Sequence, residues 1–373
     1  MVSHHLVLIS AGGTGGHLFP AEALGIVLRS RGLRIALATD RRVGALSTSF
    51  PADEVFEIPS ATPSGKSLIK MARAGAMLGL GVARAVPIIR RIRPAVAVGF
   101  GGYPTVPPLA AARLLRIPTA IHEQNAVMGR ANRLLARSAS LIATGFPGVR
   151  GLPAGAHGRV VHTGNPLRPP VLEAASSDFP PVIEGGTIRI LVFGGSQGAR
   201  VMSDIVPPAI EQLPVELRSR LEITQQARDE DLDRVRSLYA RLNVASDVQP
   251  FFKDLPARMA GAHLVISRSG ASTVAELAAI GRPSILVPLP GALDQDQAAN
   301  AATLADIGAA TVILQQAFTP ARLAEELQRR IADPALLTGA AAAAKSAGVT
   351  DAAERLADAI IDLAGSPPHG RSS

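Results

Sequence analysis

Short apolar runs recur along this chain, each closing on glycine or a polar residue and each followed by a longer stretch with helical spacing. Residues 6–10 (Leu-Val-Leu-Ile-Ser) read as a buried strand, 18–30 as a helix opening at Pro20, and 33–39 as a second strand ending at Asp40. Val96–Val98 begin another strand; a helix over 105–115, a strand over 118–122, a helix over 130–137 and a strand over 140–143 follow. Unbroken apolar runs are what strands buried on both faces need, and their alternation with helices predicts a parallel sheet covered on both sides. The pattern then restarts. Residues 188–193 read as a strand, as do 264–267 and 284–288, with helices over 272–280 and 294–307. Residues 174–187 are polar, rich in Pro and Gly, and read as a loop.

The restart is close to a repetition. Residues 6–17 run Leu-Val-Leu-Ile-Ser-Ala-Gly-Gly-Thr-Gly-Gly-His, and residues 188–199 run Ile-Arg-Ile-Leu-Val-Phe-Gly-Gly-Ser-Gln-Gly-Ala. A buried strand that enters a glycine turn and then a helix N-terminus makes an anion site, because free backbone N–H groups and the helix dipole point at one spot. The predicted organisation is therefore two doubly wound α/β domains, 1–166 and 167–349. A helix over 350–364 crosses back to the first domain, and 365–373 is a disordered tail. A cleft between two such domains can hold two phosphorylated molecules.

Composition narrows the function classes. At 373 residues and 47% hydrophobic, the chain can form two cored domains. With no Cys, disulfides, thiolate metal sites and a Cys nucleophile are excluded. Aromatics are 3% and Trp is absent, which argues against stacking platforms for single-stranded nucleic acid. The net charge of +8 points to an acidic partner: phosphorylated substrates, an anionic membrane face or nucleic acid. The N-terminal run ends at a glycine loop and lacks the features of a signal peptide, and no run reaches the ~18 apolar residues of a spanning helix, so a soluble or surface-bound protein is expected.

Residues 66–93 stand apart. Lys66, Lys70, Arg73, Arg84, Arg90, Arg91 and Arg93 are basic, none is acidic, and 74–83 (Ala-Gly-Ala-Met-Leu-Gly-Leu-Gly-Val-Ala) carry no charge. A basic helix with an apolar face lies in a membrane interface; the competing reading is a packing helix whose basic side is solvated. Lys70, Arg73, Met77, Leu78, Leu80 and Arg84 form the candidate patch.

Candidate chemistry clusters at predicted strand ends. Gly12–Gly16 hold four glycines in five positions, with neither the Gly-x-Gly-x-x-Gly spacing nor a P-loop Lys. His17 follows, where a helix N-terminus favours the neutral imidazole. Gly99-Phe100-Gly101-Gly102-Tyr103 is a second glycine loop, and His122-Glu123-Gln124-Asn125 a dense polar run after an apolar strand. In the second domain, Gly194-Gly195-Ser196-Gln197-Gly198 repeats the anion loop. Arg268-Ser269-Gly270-Ala271-Ser272-Thr273 opens a helix on which Glu276 lies one turn further in. A carboxylate there suits ribose hydroxyls, while Thr273-x-x-Glu276 equally suits a capping box. Asp294-Gln295-Asp296-Gln297 begins a further helix with groups suited to sugar hydroxyls.

Gly-Gly-Thr-Gly-Gly-His, Gly-Gly-Tyr-Pro, His-Glu-Gln-Asn, Gly-Asn-Pro-x-Arg, Gly-Gly-Ser-Gln-Gly-Ala, Arg-Ser-Gly-Ala-x-Thr-x-x-Glu and Asp-x-x-Gln occur in that order over residues 6–345. Together they resemble the MurG family of bacterial N-acetylglucosaminyltransferases. The resemblance implies the GT-B fold, with UDP-GlcNAc as donor on the C-terminal domain. It implies lipid I (undecaprenyl-pyrophosphoryl-MurNAc-pentapeptide) as acceptor on the N-terminal domain, and transfer to the MurNAc 4-hydroxyl with inversion, giving lipid II for peptidoglycan. It implies that Glu276 holds the ribose, that Ser196, Ala271, Ser272 and Thr273 surround the donor diphosphate, and that Arg168 approaches it. Phe251 and Phe252 match the uracil segment, with Phe252 backbone groups reading the base, and Asn125 and Gln297 bond the GlcNAc hydroxyls. Thr14, Gly15 and Gly16 complete the donor set. Gly13, Thr14, Gly15, Gly102 and Tyr103 line the acceptor pyrophosphate, and His17 and Glu123 are the candidates for the acceptor proton.

One departure is Asp296, where the family has Gln or His. The resemblance also favours the 66–93 segment as a membrane-docking site and implies a peripheral place on the cytoplasmic face of the inner membrane. No Asp-x-Asp metal motif is read near the donor loops, so no metal is expected in the chemistry, nor any cofactor or nucleic acid. The readings left beside this one are another GT-B enzyme using UDP-GlcNAc (a 2-epimerase or a soluble-acceptor transferase), a nicotinamide-dependent oxidoreductase suggested by Gly12–Gly16 and Asp40, and a basic nucleic-acid binder.

Overall fold

The computed structural model describes residues 5–12, 15–41, 50–62, 68–154, 156, 159–195, 198–291 and 296–365. The chain forms two compact units, one of Met1–Arg168 with Asp351–Ser373 and one of Pro169–Thr350.

The first unit is a parallel sheet of β1 (Leu6–Ser10), β2 (Arg34–Thr39), β3 (Glu54–Glu57), β4 (Val96–Gly99), β5 (Thr119–Glu123), β6 (Leu141–Thr144) and β7 (Arg159–His162), in spatial order β3-β2-β1-β4-β5-β6-β7. Its helices before the second unit are α1 (Gly15–Ser30), α2 (Leu68–Ile92), α3 (Val106–Leu114) and α4 (Arg130–Leu135). Strand alternation sorts the apolar side chains onto two faces. Val7, Ile9, Ile35, Leu37, Val96 and Val98 join Leu24 and Leu28 of α1 on one face. Leu6, Leu8, Ala36, Ala38 and Ala97 join Ala85 and Ile89 of α2 and Ala111 and Ala112 of α3 on the other.

Several elements depart from the expected ones. Helix α1 begins at Gly15, not Pro20, and carries Pro20 inside it. Strand β5 runs through Glu123, so His122 and Glu123 are buried in the strand itself and not in the loop after it. Edge strands β3 and β7 escaped the pattern because Glu54, Glu57 and His162 interrupt any apolar run. Helix α2 is long and apolar enough to cross a membrane by length and composition, contrary to the expectation that no segment is. Its C-terminal half packs in the core through Ala85 and Ile89, which a spanning helix does not do.

The second unit runs α5 (Pro169–Ala175), β8 (Ile188–Phe193), α6 (Arg200–Glu211), α7 (Val215–Arg218), β9 (Leu221–Gln226), α8 (Leu232–Arg241), β10 (Ala245–Gln249), α9 (Leu255–Gly261), β11 (Leu264–Ser267), α10 (Ala271–Ile280), β12 (Ser284–Leu286), α11 (Asp296–Ala305), β13 (Ala310–Val312), α12 (Pro320–Ala332) and α13 (Pro334–Ser346). Helix α5 ends at Ala175, at the edge of the stretch expected to be a loop, and residues 176–187 are irregular as expected. The sheet order is β10-β9-β8-β11-β12-β13. The last helix, α14 (Ala352–Gly365), belongs to the first unit, where Leu356, Ala357 and Ile360 are buried beside Leu24 and Leu28. The tail expected to be disordered lies, from residue 366, outside the described residues.

Two buried charged groups brace the second unit. Arg282 is fully buried and donates to the carbonyls of Asp178, Met259, Ala260, Ile280 and Gly281. Burial lowers its pKa to about 10. Glu326, 4% exposed, accepts from Arg330 Nε at 2.7 Å, Arg329 Nη2 at 2.8 Å and Thr311 Oγ1 at 2.8 Å. Burial alone would raise this carboxyl, but the hydrogen bonds from Arg329, Arg330 and Thr311 outweigh it and hold the pKa at about 2.

A carboxylate whose folded pKa lies below its ordinary value of 4.5 stabilises the fold above pH 4.5 and loses that contribution as pH falls toward about 2. Glu326→Gln should therefore cost roughly 3 kcal/mol at neutral pH, measured by urea unfolding. The gap from wild type should close on acidification through this window. A gap that stays constant down to pH ~3 would show that Glu326 acts by shape and not by charge.

Candidate active site

Both sheets reverse strand order once, at β1/β4 in the first unit and at β8/β11 in the second. The carboxyl ends of strands flanking such a reversal leave an open crevice, where α/β folds bind ligands. The glycine loops of this chain follow those four strands.

In the first unit the loops after β1 and β4 touch. A β-carbon on Gly12 would overlap the Pro104 ring. Gly101 and Gly102 adopt φ of 82° and 72°, a left-handed backbone, and the His17 ring packs directly over them. Half-buried His17 sits in the first turn of α1, and its Nδ1 lies 3.3 Å from Gln124 Oε1. Gln124 Nε2 faces His122, donating to the His122 carbonyl at 3.2 Å and lying 3.2 Å from its Nδ1. His122 Nε2 lies 3.0 Å from the Gly164 carbonyl. Burial pushes His122 down to about 4, against the pull of the Gly164 carbonyl, so at neutral pH its ring is uncharged.

Glu123 sits differently. Its buried carboxylate accepts from Asn125 N at 2.9 Å, Asn125 Nδ2 at 3.3 Å, Gly129 N at 2.9 Å and Asn132 Nδ2 at 2.9 Å. With both oxygens engaged by the 125–132 segment, this group anchors the loop that carries Asn125 and is poorly placed to take a proton. Arg168 belongs to the first unit, its guanidinium 3.7 Å from the centroid of Phe19 on α1. Gly15 and Gly16 open α1, and Tyr103 follows Gly102 in a turn that leads into α3. Gly13 and Thr14 lie outside the described residues.

The second unit holds a cavity of about 520 Å³ lined by Gly194, Gly195, Gly198 and Ala199, by Arg200 and Val201 at the start of α6, and by Arg228, Arg268, Gly270, Thr273, Leu289, Pro290, Gln297 and Gln315. Helix α6 starts after Ala199 and α10 after Gly270, and neither end has a side-chain cap. Their first N–H groups are thus open to an anion. Gly195 and Gly198 have φ of 90° and 65°. Arg200, Arg228 and Arg268 line the wall, and no acidic residue does so among the described residues.

Arg268 is held by the Val287 and Pro288 carbonyls at 3.0 and 3.1 Å and by Gln315 Oε1 at 2.6 Å; burial lowers its pKa. Ser272 Oγ is buried without a hydrogen-bond partner among the described residues. Because Gly270 is the cap, Thr273 stands inside the first turn of α10, and the alternative reading of Thr273-x-x-Glu276 as a capping box does not hold. Glu276 is half-buried one turn beyond Ser272 and Thr273 on that helix, outside the cavity lining.

Other expected site residues fall around this cavity or away from it. Ala271 starts α10 and is buried. Gln297 lines the cavity and accepts from Leu289 N at 3.0 Å. Asp296 accepts from Gln297 N at 2.9 Å, acting as a first-turn acid on α11. Asp294-Gln295-Asp296 does have Asp-x-Asp spacing, but Asp294 lies outside the described residues, as does Ser196. Phe252 is buried with Arg258 stacked on its ring at 4.3 Å, so only its backbone and the exposed Phe251 ring can meet a ligand.

Sequence reasoning assigned no role to Arg228, Arg200 or Gln315. Arg228 follows the end of β9, a strand-end position that could have signalled it. On α2, Lys70, Arg73, Leu80 and Arg84 are exposed and Met77 and Leu78 half-buried. Ile69, 81% exposed, and Met71, 50% exposed, extend the same apolar stretch and were not anticipated.

Comparison with known proteins matches residues 7–144 to the glycosyltransferase family 28 N-terminal domain and 189–356 to its C-terminal domain. A UDP-N-acetylglucosamine--N-acetylmuramyl-(pentapeptide) pyrophosphoryl-undecaprenol N-acetylglucosamine transferase of Methylorubrum populi is 61% identical over 96% of this chain and 97% of its own length. The Acinetobacter baumannii MurG structure superposes with a TM-score of 0.78 at 31% identity, covering 96% of this chain and 99% of that one. A Listeria monocytogenes structure described as a candidate UDP-N-acetylglucosamine 2-epimerase, at a TM-score of 0.66 and 14% identity over 99% of this chain and 100% of its own, shares the fold alone. With two parallel-sheet α/β units, a glycine-bounded crevice in each and this similarity over nearly its whole length, the chain belongs to glycosyltransferase family 28, in the MurG group of N-acetylglucosaminyltransferases with the GT-B fold.

Proposed function

We propose that this enzyme transfers GlcNAc from UDP-GlcNAc to the MurNAc 4-hydroxyl of lipid I, forming lipid II for peptidoglycan synthesis. The observation that carries this reading is the anion cavity of the second unit, built from two uncapped helix N-termini and three arginines, in a chain 61% identical to a transferase of that name. The sugar–phosphate bond breaks through an oxocarbenium-like state, as in glycoside hydrolysis, and charge develops on the UDP leaving group. Fixed N–H donors and guanidiniums stabilise that charge without reorganising at the moment of reaction. Ser272 supplies an otherwise unpartnered hydroxyl to the diphosphate. Arg228 and Arg268 supply charge, and Gln297 reads the sugar.

In the first unit the contacting glycine loops around Gly12, Gly101 and Gly102 offer backbone N–H groups to the acceptor pyrophosphate. His17, in the first turn of α1, takes the proton of the attacking hydroxyl. Glu123 organises the loop that carries Asn125 and does not take that proton. Helix α2 docks the enzyme on the anionic cytoplasmic face of the inner membrane: Ile69, Met71 and Leu80 enter the interface and Lys70, Arg73 and Arg84 meet headgroups.

Labelled GlcNAc should pass from UDP-GlcNAc to a short-chain lipid I analogue and not to soluble sugars; transfer to soluble sugars, or UDP release without transfer, would overturn the acceptor assignment. Glu276→Ala should weaken UDP binding about tenfold or more, the loss expected when a charged hydrogen bond to the ribose is removed, with the thermal midpoint unchanged. UDP affinity equal to wild type, read by calorimetry, would remove Glu276 from the ribose. Replacing Met71, Met77 and Leu80 with Ser should reduce partitioning onto anionic vesicles while sparing UDP affinity, and undiminished sedimentation with vesicles would place docking elsewhere.

A further inference from the structure

We infer that Gln124 and His122 are positioning residues that hold His17 in one tautomer, with the proton on Nδ1 and the lone pair on Nε2. This rests on the reading of His17 as the group that takes the acceptor proton. The argument is a count of donors and acceptors along a short chain of side chains.

Orientation is fixed at both ends by backbone carbonyls, which only accept. His122 Nε2 lies 3.0 Å from the Gly164 carbonyl, so that nitrogen carries the hydrogen. The fully buried His122 ring is neutral, and its Nδ1 is therefore a bare acceptor. The Gln124 amide lies with one atom 3.2 Å from the His122 carbonyl and 3.2 Å from His122 Nδ1. Both partners accept, so that atom must be the NH2 group, and each of its hydrogens is used. The amide oxygen is then turned to His17 Nδ1 at 3.3 Å, which must be the N–H. Asn132 Nδ2 donates to the same His122 carbonyl at 3.1 Å, and Gln124 and Asn132 are 2% and 1% exposed, so water does not compete for the ordering.

The relay ends at a ring nitrogen with a free lone pair. His17 Nε2 has no hydrogen-bond partner among the described residues and faces the left-handed turn at Gly102. The opposite tautomer would put an N–H at the reacting position, and a base in that form cannot accept the hydroxyl proton. In the transfer step the MurNAc oxygen forms a bond to the donor's anomeric carbon as the bond to UDP breaks. The hydroxyl proton passes to His17 Nε2, leaving an imidazolium whose Nδ1–H stays bonded to Gln124 Oε1.

Two measurements test this. In wild-type enzyme, ¹⁵N–¹H correlation spectra of the histidine rings, with His17 and His122 assigned from His17→Gln and His122→Asn spectra, should show Nδ1 protonated in His17 and Nε2 protonated in His122. A His17 signal with Nε2 protonated overturns the proposal, whatever any variant does. Gln124→Met keeps the buried volume and removes the amide. It should give a mixed His17 tautomer and lower kcat roughly 10- to 100-fold, part of what general-base catalysis contributes, with KM for UDP-GlcNAc and the thermal midpoint near wild type. Gln124→Met with wild-type kcat and an unchanged His17 tautomer also overturns it. The base reading fails separately: His17→Gln with near wild-type kcat, beside the expected wild-type ring spectra, would leave the tautomer relay standing and dismiss His17 as the base.

Discussion

Close approach of backbone to backbone at the strand ends is the constraint on which both half-sites depend. A parallel sheet brings adjacent strand termini within one strand spacing of each other, about 5 Å apart. Loops leaving β1 and β4 can share a crevice only if nothing projects between them. Gly12 meets the Pro104 ring where any β-carbon would collide, and Gly101 and Gly102 turn left-handed beneath His17. In the second unit a β-carbon on Gly194 would overlap the backbone of Gly198 and Ala199, so the same economy lets those two residues lie against the end of β8. These glycines thus answer to packing at the two points where strand order reverses.

With the backbone so placed, the two crevices differ in charge. The second unit collects Arg200, Arg228 and Arg268 around uncapped helix ends. In the first, His122, Gln124 and Asn132 bury a network of neutral groups around a single carboxylate, Glu123, whose oxygens are both engaged. A cationic wall stabilises charge that appears on a leaving group. A hydrogen-bonded wall fixes the orientation of the His17 ring through Gln124. That division is the one the proposed displacement calls for, in which one side receives a negative charge and the other gives up a proton.

The sequence makes some of this legible and hides the rest for physical reasons. The central strands β1, β2, β4, β5, β6, β8 and β11 announce themselves as apolar runs because both their faces are covered. The edge strands β3 and β7 do not, since an exposed edge admits Glu54, Glu57 and His162. The glycine loops and the polar run at 122–125 can be found by eye. Their roles cannot, because Glu123 and Gln124 look alike in sequence and separate only when hydrogen bonds are counted: one closes on its own loop and the other reaches His17. Arg228 and Gln315 enter the cavity from β9 and from beyond β13, distances along the chain that no local motif spans. Thr273 misleads in the opposite way. Its spacing to Glu276 fits a capping box, yet Gly270 takes the cap and Thr273 stands inside the first turn.

Helix α2 shows how a composition that fits several readings is decided by packing. Its length and apolar character suffice for a membrane span. Past Gly81, where a β-carbon would strike the Pro59 carbonyl and Pro107, its side chains Ala85 and Ile89 are committed to the core shared with α3. Before Gly81 the burial lapses: Ile69, Met71 and Leu80 stay out in solvent with Lys70, Arg73 and Arg84 beside them. One continuous helix thus joins the sheet at one end to a greasy, basic surface at the other. Apolar side chains left uncovered carry a cost in water, and a lipid interface that relieves this cost also offers phosphates to the lysine and arginines. A short basic-apolar half-helix rooted in a folded core is suited to the interfacial docking proposed above, because its buried half keeps it from crossing.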